Sequence, residues 1–254
     1  MLPLAQLPTD GIRGIFTDID GTLTDDGVLH PEAYRAICDA AAAGLRVVLV
    51  TGRPGGYAEV LAALWPVDAA IAENGALAVL RGGAVRFWDA AEVRSEQRRR
   101  LDALVADALA ALPFARLADD GGLRRVDVAF DIGERQSLAP EQVDALVALM
   151  RKHGASTLCS TIHAHGFYGD HDKARMLVRV AAELWGEPEA LVRSSYVFVG
   201  DSPNDQAGFT AFARSVGVAN VERFVPQLAP PPAYVTALPG GRGFAEVVAR
   251  LIHA

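Results

Sequence analysis

Asp18 and Asp20 stand two residues apart at the end of an apolar run in GIFTDIDGTLTDDG, with Gly21, Thr22 and Leu23 directly after them. Two like charges in such a place repel each other and lose hydration, so a strand built only for packing has little use for them. A second acidic turn, Asp201 to Asp205 in VFVGDSPND, also closes an apolar run. Between the two lie Thr51, ending VVLVT, and Lys173, in HDKARML. Together these side chains suit one kind of chemistry. Asp18 and Asp201 can offer anionic oxygens to a hard cation such as Mg²⁺, which prefers octahedral oxygen ligation and keeps several waters. The cation relieves the repulsion and leaves Asp18 able to act as a nucleophile. Asp20, two residues on, can take a different environment and a raised pKa, as a general acid and base requires. Thr51, nearby backbone N–H groups and the Lys173 ammonium can bind phosphate oxygens. The set fits in-line attack on phosphorus with charge neutralised on both sides. Uncatalysed phosphate-monoester hydrolysis calls for accelerations of up to roughly 10²¹-fold, so a metal, a covalent step and positioned cations are plausible joint demands.

Positions so far apart must be brought together by the elements that carry them. Ile12–Thr17 reads as a buried strand, HPEAYRAICDAAAAG as a helix with Pro31 in its first turn and Gly44 as its stop, and LRVVLVTGRP as a second buried strand. GGYAEVLAALWP suits a helix and DAAIAENGA a third strand. Strand and helix alternating in this way imply a parallel sheet with crossover helices. Ligands bind at the carboxyl ends of such strands, where Asp18, Thr51 and Asp201 fall, with Lys173 at a helix start. Either acidic turn alone could be a helix cap; convergence carries the argument.

The rhythm changes after Leu80. LAVLRGGAVRFWD reads as a hairpin around Gly82 and Gly83, and a long helix fits Ala91 to Leu112, with Val93, Leu101, Leu104, Val105 and Leu109 near one stripe. LRRVDVAFDIG alternates like a half-exposed strand, APEQVDALVALMRKHG is a helix, and STLCSTIHAHGFYG holds two short strands or one bent one. The first rhythm returns with a helix from Lys173, the strand SSYVFVGD and a closing helix FAEVVARLIHA. The expected architecture is α/β: a Rossmann-like three-layer α/β/α core with a parallel sheet, from residues 1–79 and 169–254, plus an inserted α+β cap domain at residues 80–168.

The 254 residues allow one core domain with an insert, and 51% hydrophobic against 22% charged residues indicate a packed globule. The net charge of −7 disfavours nucleic acid, whose binding draws on basic patches; the run Arg98-Arg99-Arg100 reads as a solvated helix face. Cys38 and Cys159 have neither CxxC nor zinc spacing and read as buried free thiols in a reducing compartment. MLPLAQLPTDG is too short and too lightly charged for a signal peptide, and no stretch approaches the roughly 18 apolar residues that span a bilayer. The expectation is a cytoplasmic protein, monomer or homodimer, acting on a small phosphorylated molecule, with no nucleic-acid or membrane partner.

DIDGTLT (Asp18 to Thr24), VVLVTGRP with Thr51, Lys173 in DKARML, and VFVGDSPND with Gly200, Asp201, Asn204 and Asp205 resemble, in order, the four motifs of the haloacid dehalogenase-like (HAD) phosphatase superfamily. The resemblance covers about two-thirds of the chain. It implies that Asp18 forms an aspartyl-phosphate, that Asp20 protonates the leaving oxygen and then activates water, and that Thr51 and Lys173 complete the catalytic set. Mg²⁺ is the implied cofactor, held by Asp18, the backbone carbonyl of Asp20, and Asp201. Asp205 either supports the metal site or orients Lys173, and Asn204 contacts the phosphoryl group or a metal-bound water. An acid at position 20 marks phosphatases and phosphomutases and is absent from the dehalogenases. The place of the insert and ENGA (Glu73 to Ala76) resemble the branch with a type-two α/β cap, which includes sucrose-phosphate, mannosyl-3-phosphoglycerate, phosphoglycolate and Cof-like sugar phosphatases. Ala174 stands where many relatives have Gly; its methyl group should only tighten the helix start.

Weaker signals surround this set. Gly52 and Arg53 follow Thr51, and the Arg53 guanidinium could hold a substrate carboxylate or second phosphate, or form a surface salt bridge. Asn74 ends the next strand and joins Thr51, Gly52, Arg53, Lys173 and Asn204 as a candidate substrate contact. His163 and His165 share a strand face and either reach the cleft or, the favoured reading, stay partly exposed; a zinc pair is disfavoured. Arg124 and Arg125 are possible anion contacts. His171 and Asp172 could cap the helix from Lys173. Trp65, Trp88 and Trp185 read as packing residues. The rival readings are a phosphomutase using the same residues, as in eukaryotic phosphomannomutase, and a signalling receiver, which lacks DxDGT and GDxxND.

Overall fold

The computed structural model describes residues 1–160 and 162–253. Thr161, within the strands expected over residues 156–169, and Ala254, at the end of the expected closing helix, lie outside the described residues.

The apolar runs form one nine-stranded sheet. Its middle, in spatial order, is Arg214–Gly217, Tyr196–Gly200, Gly14–Thr17, Arg46–Val50 and Ala69–Ala72, all parallel. These strands read as continuous hydrophobic stretches because helices cover both faces. Ile15, Val47, Leu49, Val197 and Val199 point to one side, against the helices Pro31–Ala42, Gly55–Leu64 and Gly240–Ile252. Phe16, Val48, Val50, Tyr196 and Phe198 point to the other, against Lys173–Trp185, Glu189–Ser195 and Gln206–Ala211. Alternate residues thus serve opposite layers, and the three-layer α/β/α core follows from the period of the strand.

The hairpin around Gly82 and Gly83 forms as expected, but its place differs from the sequence reading. Leu77–Leu80 pairs antiparallel with Ala69–Ala72, and Val85–Phe87 pairs with Leu77–Leu80, so the hairpin extends the core sheet although residues 80–87 fall within the expected insert. Leu77, Val79 and Leu80 pack into the core layers, and this burial decides where the hairpin goes.

Within the insert, Ser156–Cys159, His163–Phe167 and Val128–Asp131 make a three-stranded antiparallel sheet. The helices Ala91–Ala111 and Pro140–Lys152 pack on it through Leu101, Leu104, Ala108, Leu146 and Met150, with Phe130 and Ala164 facing them. Three local expectations change here. The stripe of the long helix is Gln97, Leu101, Leu104 and Ala108, while Val93 and Leu109 are exposed. Val128–Asp131 is buried along its whole length, not half-exposed, because the helices cover one face and the core faces the other. His163 and His165 are buried for the same reason. Cys38 and Cys159 are free thiols but only partly buried. No helix among the described residues is long and apolar enough to cross a membrane.

Candidate active site

The parallel strands deliver the polar groups to one rim. Asp18 follows Gly14–Thr17, and its N–H donates to the Val199 carbonyl at 2.9 Å, which ties the first acidic turn to the strand that carries the second. Lys173 is the first residue of its helix; the Asp172 carboxylate caps that helix by accepting the Arg175 N–H at 2.8 Å. Lys173 Nζ then lies 2.7 Å from both Asp18 Oδ1 and Asp205 Oδ1. Asp205 Oδ2 accepts the N–H groups of Asp201 and Ser202, at 2.9 and 3.3 Å, so both oxygens of Asp205 are spent on shaping the turn and holding Lys173.

Oxygens of Asp18, Asp201 and Asp205, all buried, lie within 4.8 Å of one another. Burial first, and then the charge of Asp205, raises Asp18 well above the usual carboxylate range; the same two causes push Asp201 up to about 7. Burial also works against the Lys173 charge, but Asp18 and Asp205 outweigh it and hold the ammonium firmly protonated. One lysine against three buried carboxylates leaves an excess of negative charge. A divalent cation removes that excess, and the all-oxygen donor set suits a hard ion, so the residues fit a metal of that class. The carboxylate of Asp20 does not join this cluster.

Asp20 turns the other way. It accepts from Arg53 Nε at 3.1 Å and Nη2 at 2.8 Å, and from the Thr51 hydroxyl at 3.4 Å. Thr51 Oγ1 in turn accepts the Arg53 N–H at 3.0 Å, closing the turn after its strand. The Arg53 guanidinium also reaches across to Glu134 Oε1 of the insert at 3.3 Å, so it bridges a core carboxylate and a carboxylate of the insert. Glu134 Oε2 is bonded to His163 Nε2 at 2.9 Å, and His165 Nδ1 to Asp127 Oδ2 at 2.9 Å. Arg124 braces Asp127 at 2.9 Å and donates to the Gly52 carbonyl of the core at 3.1 Å. Arg125 instead pairs with Glu59 on the outer surface. A narrow cavity of about 20 Å³, room for roughly one water, lies between Asp18, Asp20, Gly52, Arg53 and Asn204 on the core and His163 and His165 on the insert. The insert is closed on the core.

The remaining candidates divide. Asn204 lines the cavity and its Oδ1 accepts from the Ser202 hydroxyl at 2.7 Å. Asn74 is buried behind Gly52 with neither amide atom partnered among the described residues; a Cβ on Gly52 would stand 3.1 Å from Asn74 Oδ1 and 3.3 Å from His165 Nε2, a tight fit that would push those side chains back by a few tenths of an ångström. His171 does not cap the helix: its ring lies buried against Phe167.

Two residues at this rim carried no role in the sequence reading. Asn220 Nδ2 donates to Asp201 Oδ2 at 2.9 Å and to the Gly21 carbonyl at 3.0 Å, while its Oδ1 accepts the Gly240 N–H at 3.0 Å. It thereby fixes Asp201 against the first acidic turn, where Gly21, at φ 80°, has no room for a Cβ beside Asp201. Its signal is its place just after the strand Arg214–Gly217, at the same sheet rim. Glu73 is the other. Its buried carboxylate accepts N–H groups from Gly55 of the core and from Arg125, Val126 and Asp127 of the insert, at 2.7–3.1 Å. Glu73 and Asn74 take φ of 49° and 56°, a left-handed pair costing roughly 1–2 kcal/mol per residue, which the seam they build must repay.

The comparisons agree with this geometry. The family described as haloacid dehalogenase-like hydrolase matches residues 15–94. No curated protein matches the chain. Among solved structures, protein 0175 of Thermoplasma acidophilum superposes with a TM-score of 0.75 at 21% identity, covering 94% of this chain and 98% of that one. The sucrose-phosphatase of Synechocystis sp., solved with sucrose and phosphate, gives 0.69 at 18%, covering 94% and 98%. The C-terminal domain of the C. albicans trehalose-6-phosphate phosphatase gives 0.69 at 14%, covering 100% and 98%. At these identities the structures speak for the fold, while the family match spans the first acidic turn and Thr51. Over residues 15–94 the chain is therefore similar to haloacid dehalogenase-like hydrolases, and its three-layer core, inserted α+β region and buried carboxylate cluster agree with that match.

Proposed function

We propose that the protein hydrolyses phosphate monoesters of small metabolites through an aspartyl-phosphate on Asp18. The observation that carries this reading is the meeting of buried Asp18 with Lys173, Asp201 and Asp205 at one rim, with Asp20 beside them. Asp18 attacks phosphorus with one carboxylate oxygen while Lys173 steadies the other. Asp20 gives its proton to the departing ester oxygen. A water then yields a proton to Asp20 and its oxygen to phosphorus, which breaks the acyl-phosphate bond, releases phosphate and restores both aspartates. Thr51, the backbone at Gly52 and Lys173 bind phosphoryl oxygens, with Asn204 at the edge. A divalent cation, Mg²⁺ in this reading, bound by Asp18 and Asp201 and supported by Asp205, supplies charge neutralisation for the phosphoryl group. Residues 80–168, apart from the hairpin on the core sheet, act as a cap that opens for substrate and closes to exclude bulk water. A sugar phosphate or a phosphorylated small acid is the substrate range this covered site supports, in keeping with the sucrose- and trehalose-6-phosphate phosphatases that share the fold.

The test is a panel of phosphorylated metabolites with Mg²⁺, run on the wild type and on Asp18→Asn. Free phosphate is expected from the wild type and none from the variant, which keeps its circular-dichroism spectrum and melting transition. Normal turnover by Asp18→Asn overturns the nucleophile. An isomerised sugar phosphate without free phosphate means a mutase instead.

A further inference from the structure

We propose that Arg124 is a positioning residue for phosphoryl transfer: by holding the Gly52 carbonyl from the insert, it aims the Gly52 N–H at the phosphoryl group, so that the turn after Thr51 is complete only under the closed cap. This rests on the phosphatase reading above and adds to it what couples closure to the chemical step.

Two peptides make up that turn. In the first, the Thr51 carbonyl accepts the Asn74 N–H at 3.0 Å. The Gly52 N–H lies trans to that carbonyl and so points away from the Asn74 backbone. It has no acceptor among the described residues, and Gly52 lines the cavity together with Asp18. An unspent donor at this wall suits a phosphoryl oxygen. In the second peptide, the Arg53 N–H donates to Thr51 Oγ1 at 3.0 Å, and the Gly52 carbonyl, on the opposite edge, accepts from Arg124 Nη1 at 3.1 Å. The bonds from Asn74 and to Thr51 are made within the core. The bond from Arg124 alone comes from the insert, and without it the second peptide is held on one edge only.

Arg124 is itself held rigidly. Its Nε and Nη2 donate to Asp120 at 2.9 and 3.0 Å, and its Nη1 serves Asp127 at 2.9 Å as well as Gly52. The planar fork is thus gripped on two edges by the insert before it meets the core. Its backbone is placed by the seam, because Glu73 accepts the N–H groups of the three residues that follow, Arg125, Val126 and Asp127. Opening the cap leaves Asp120 and Asp127 with Arg124, since all three belong to the insert, and breaks the bond to Gly52. An arginine that served only to balance two carboxylates would need no contact with the core.

The experiment follows hydrolysis of p-nitrophenyl phosphate with Mg²⁺ and its inhibition by two probes. Orthovanadate takes up the five-coordinate geometry of phosphoryl transfer; inorganic phosphate does not. Arg124→Met is expected to lower kcat about tenfold and to change KM by less than about twofold, since the Gly52 donor is misaimed and not removed. The inhibition constant of vanadate should rise about tenfold and that of phosphate less than about twofold. Neither constant depends on how much of the sample is folded, so a merely structural role would leave their ratio unmoved. Arg124→Met leaves Asp120 and Asp127 without a cation; should it not fold, Asp120→Asn with Arg124→Met, which removes one of those charges too, carries the same expectation. Arg125→Gln breaks the outer seam pair with Glu59 and is expected to keep the wild-type ratio. The contact itself is read by labelling glycine carbonyls with ¹³C and arginine with ¹⁵N. The sequence holds two Gly–Arg peptides, Gly52–Arg53 and Gly241–Arg242, and only the first should shift in the Arg124 variant. An unchanged vanadate-to-phosphate ratio, an equal change in Arg125→Gln, or an unmoved Gly52–Arg53 signal overturns this inference alone. A wild type that releases no phosphate from p-nitrophenyl phosphate or from any ester of the panel above overturns the phosphatase reading and this inference with it.

Discussion

Asp18 and Lys173 are 155 residues apart in the chain and meet at 2.7 Å, both buried, with Asp205 at the same distance on the far side of the ammonium. Lys173→Met keeps much of the side-chain volume but leaves two carboxylates facing each other without a cation. Removing one partner of a buried ion pair costs about 3–5 kcal/mol. The expected result, read from urea unfolding in chelator, is a loss of that order, with part regained on adding Mg²⁺. Phosphate release should fall at least about a thousandfold, in the range seen when a group stabilising transferred charge is removed. A variant as stable and active as the wild type would contradict the roles given to Lys173.

Asn220 touches no substrate in the proposed reaction, yet it holds Asp201 from behind. Partners that orient a metal ligand typically govern about 10–100-fold in metal affinity. Asn220→Ala is therefore expected to weaken Mg²⁺ binding, measured by calorimetry, by about tenfold or more, while the melting transition in chelator moves little. Unchanged Mg²⁺ affinity would remove Asn220 from the site.

Glu73 joins core to cap through one carboxylate and four N–H groups. Glu73→Ala leaves those donors facing an apolar gap, and unsatisfied buried donors cost about 1–3 kcal/mol each when water cannot reach them. The seam should loosen before the core does. Hydrogen exchange is expected to quicken at Arg125, Val126 and Asp127 while amides of Val197–Val199 stay protected, with a loss of at least about 2 kcal/mol in overall stability. Unaltered exchange at the three amides would show that the cap is held elsewhere.

His171 supplies a pH dependence. Burial lowers its pKa below the ordinary imidazole value; the opposing pull of Asp127, Asp89, Asp172 and Asp170 does not offset it, and neither ring nitrogen has a partner. The unfolded chain protonates this ring near pH 6.5, and the folded chain does so only at lower pH. Between those values the unfolded state binds more protons, so this contribution to stability is full above about pH 6.5 and is lost as the pH falls. Urea unfolding from pH 5 to 8 should therefore show a shallower slope for His171→Leu than for the wild type below pH 6.5. Parallel curves would mean that His171 does not titrate on unfolding.

Much of the core was legible because its signals are local. A strand covered on both faces must be apolar throughout, and a charge at its carboxyl end has nowhere else to go, so Asp18, Thr51 and Asp201 could be assigned to one rim from their runs alone. Leu77–Leu80 and Val85–Phe87 read correctly as a hairpin, but nothing local says which sheet a hairpin joins; the apolar layers beside Ala69–Ala72 made that choice. His163 and His165 looked half-exposed because alternation reports the polarity of a face and not what covers it. Their cover is the core itself, which is polar there.

By itself, then, the order of residues determined the chemistry: which carboxylates, hydroxyl and ammonium are available, and that strand ends carry them. Tertiary structure alone decided the partnerships, among them Asp20 with Arg53 and Glu134, Asp127 with His165, Asp201 with Asn220, and Glu73 with three cap amides. The reason is physical. A buried charge must find its counterpart wherever packing allows, and the distance between them along the chain leaves no periodic trace from which that counterpart could be read.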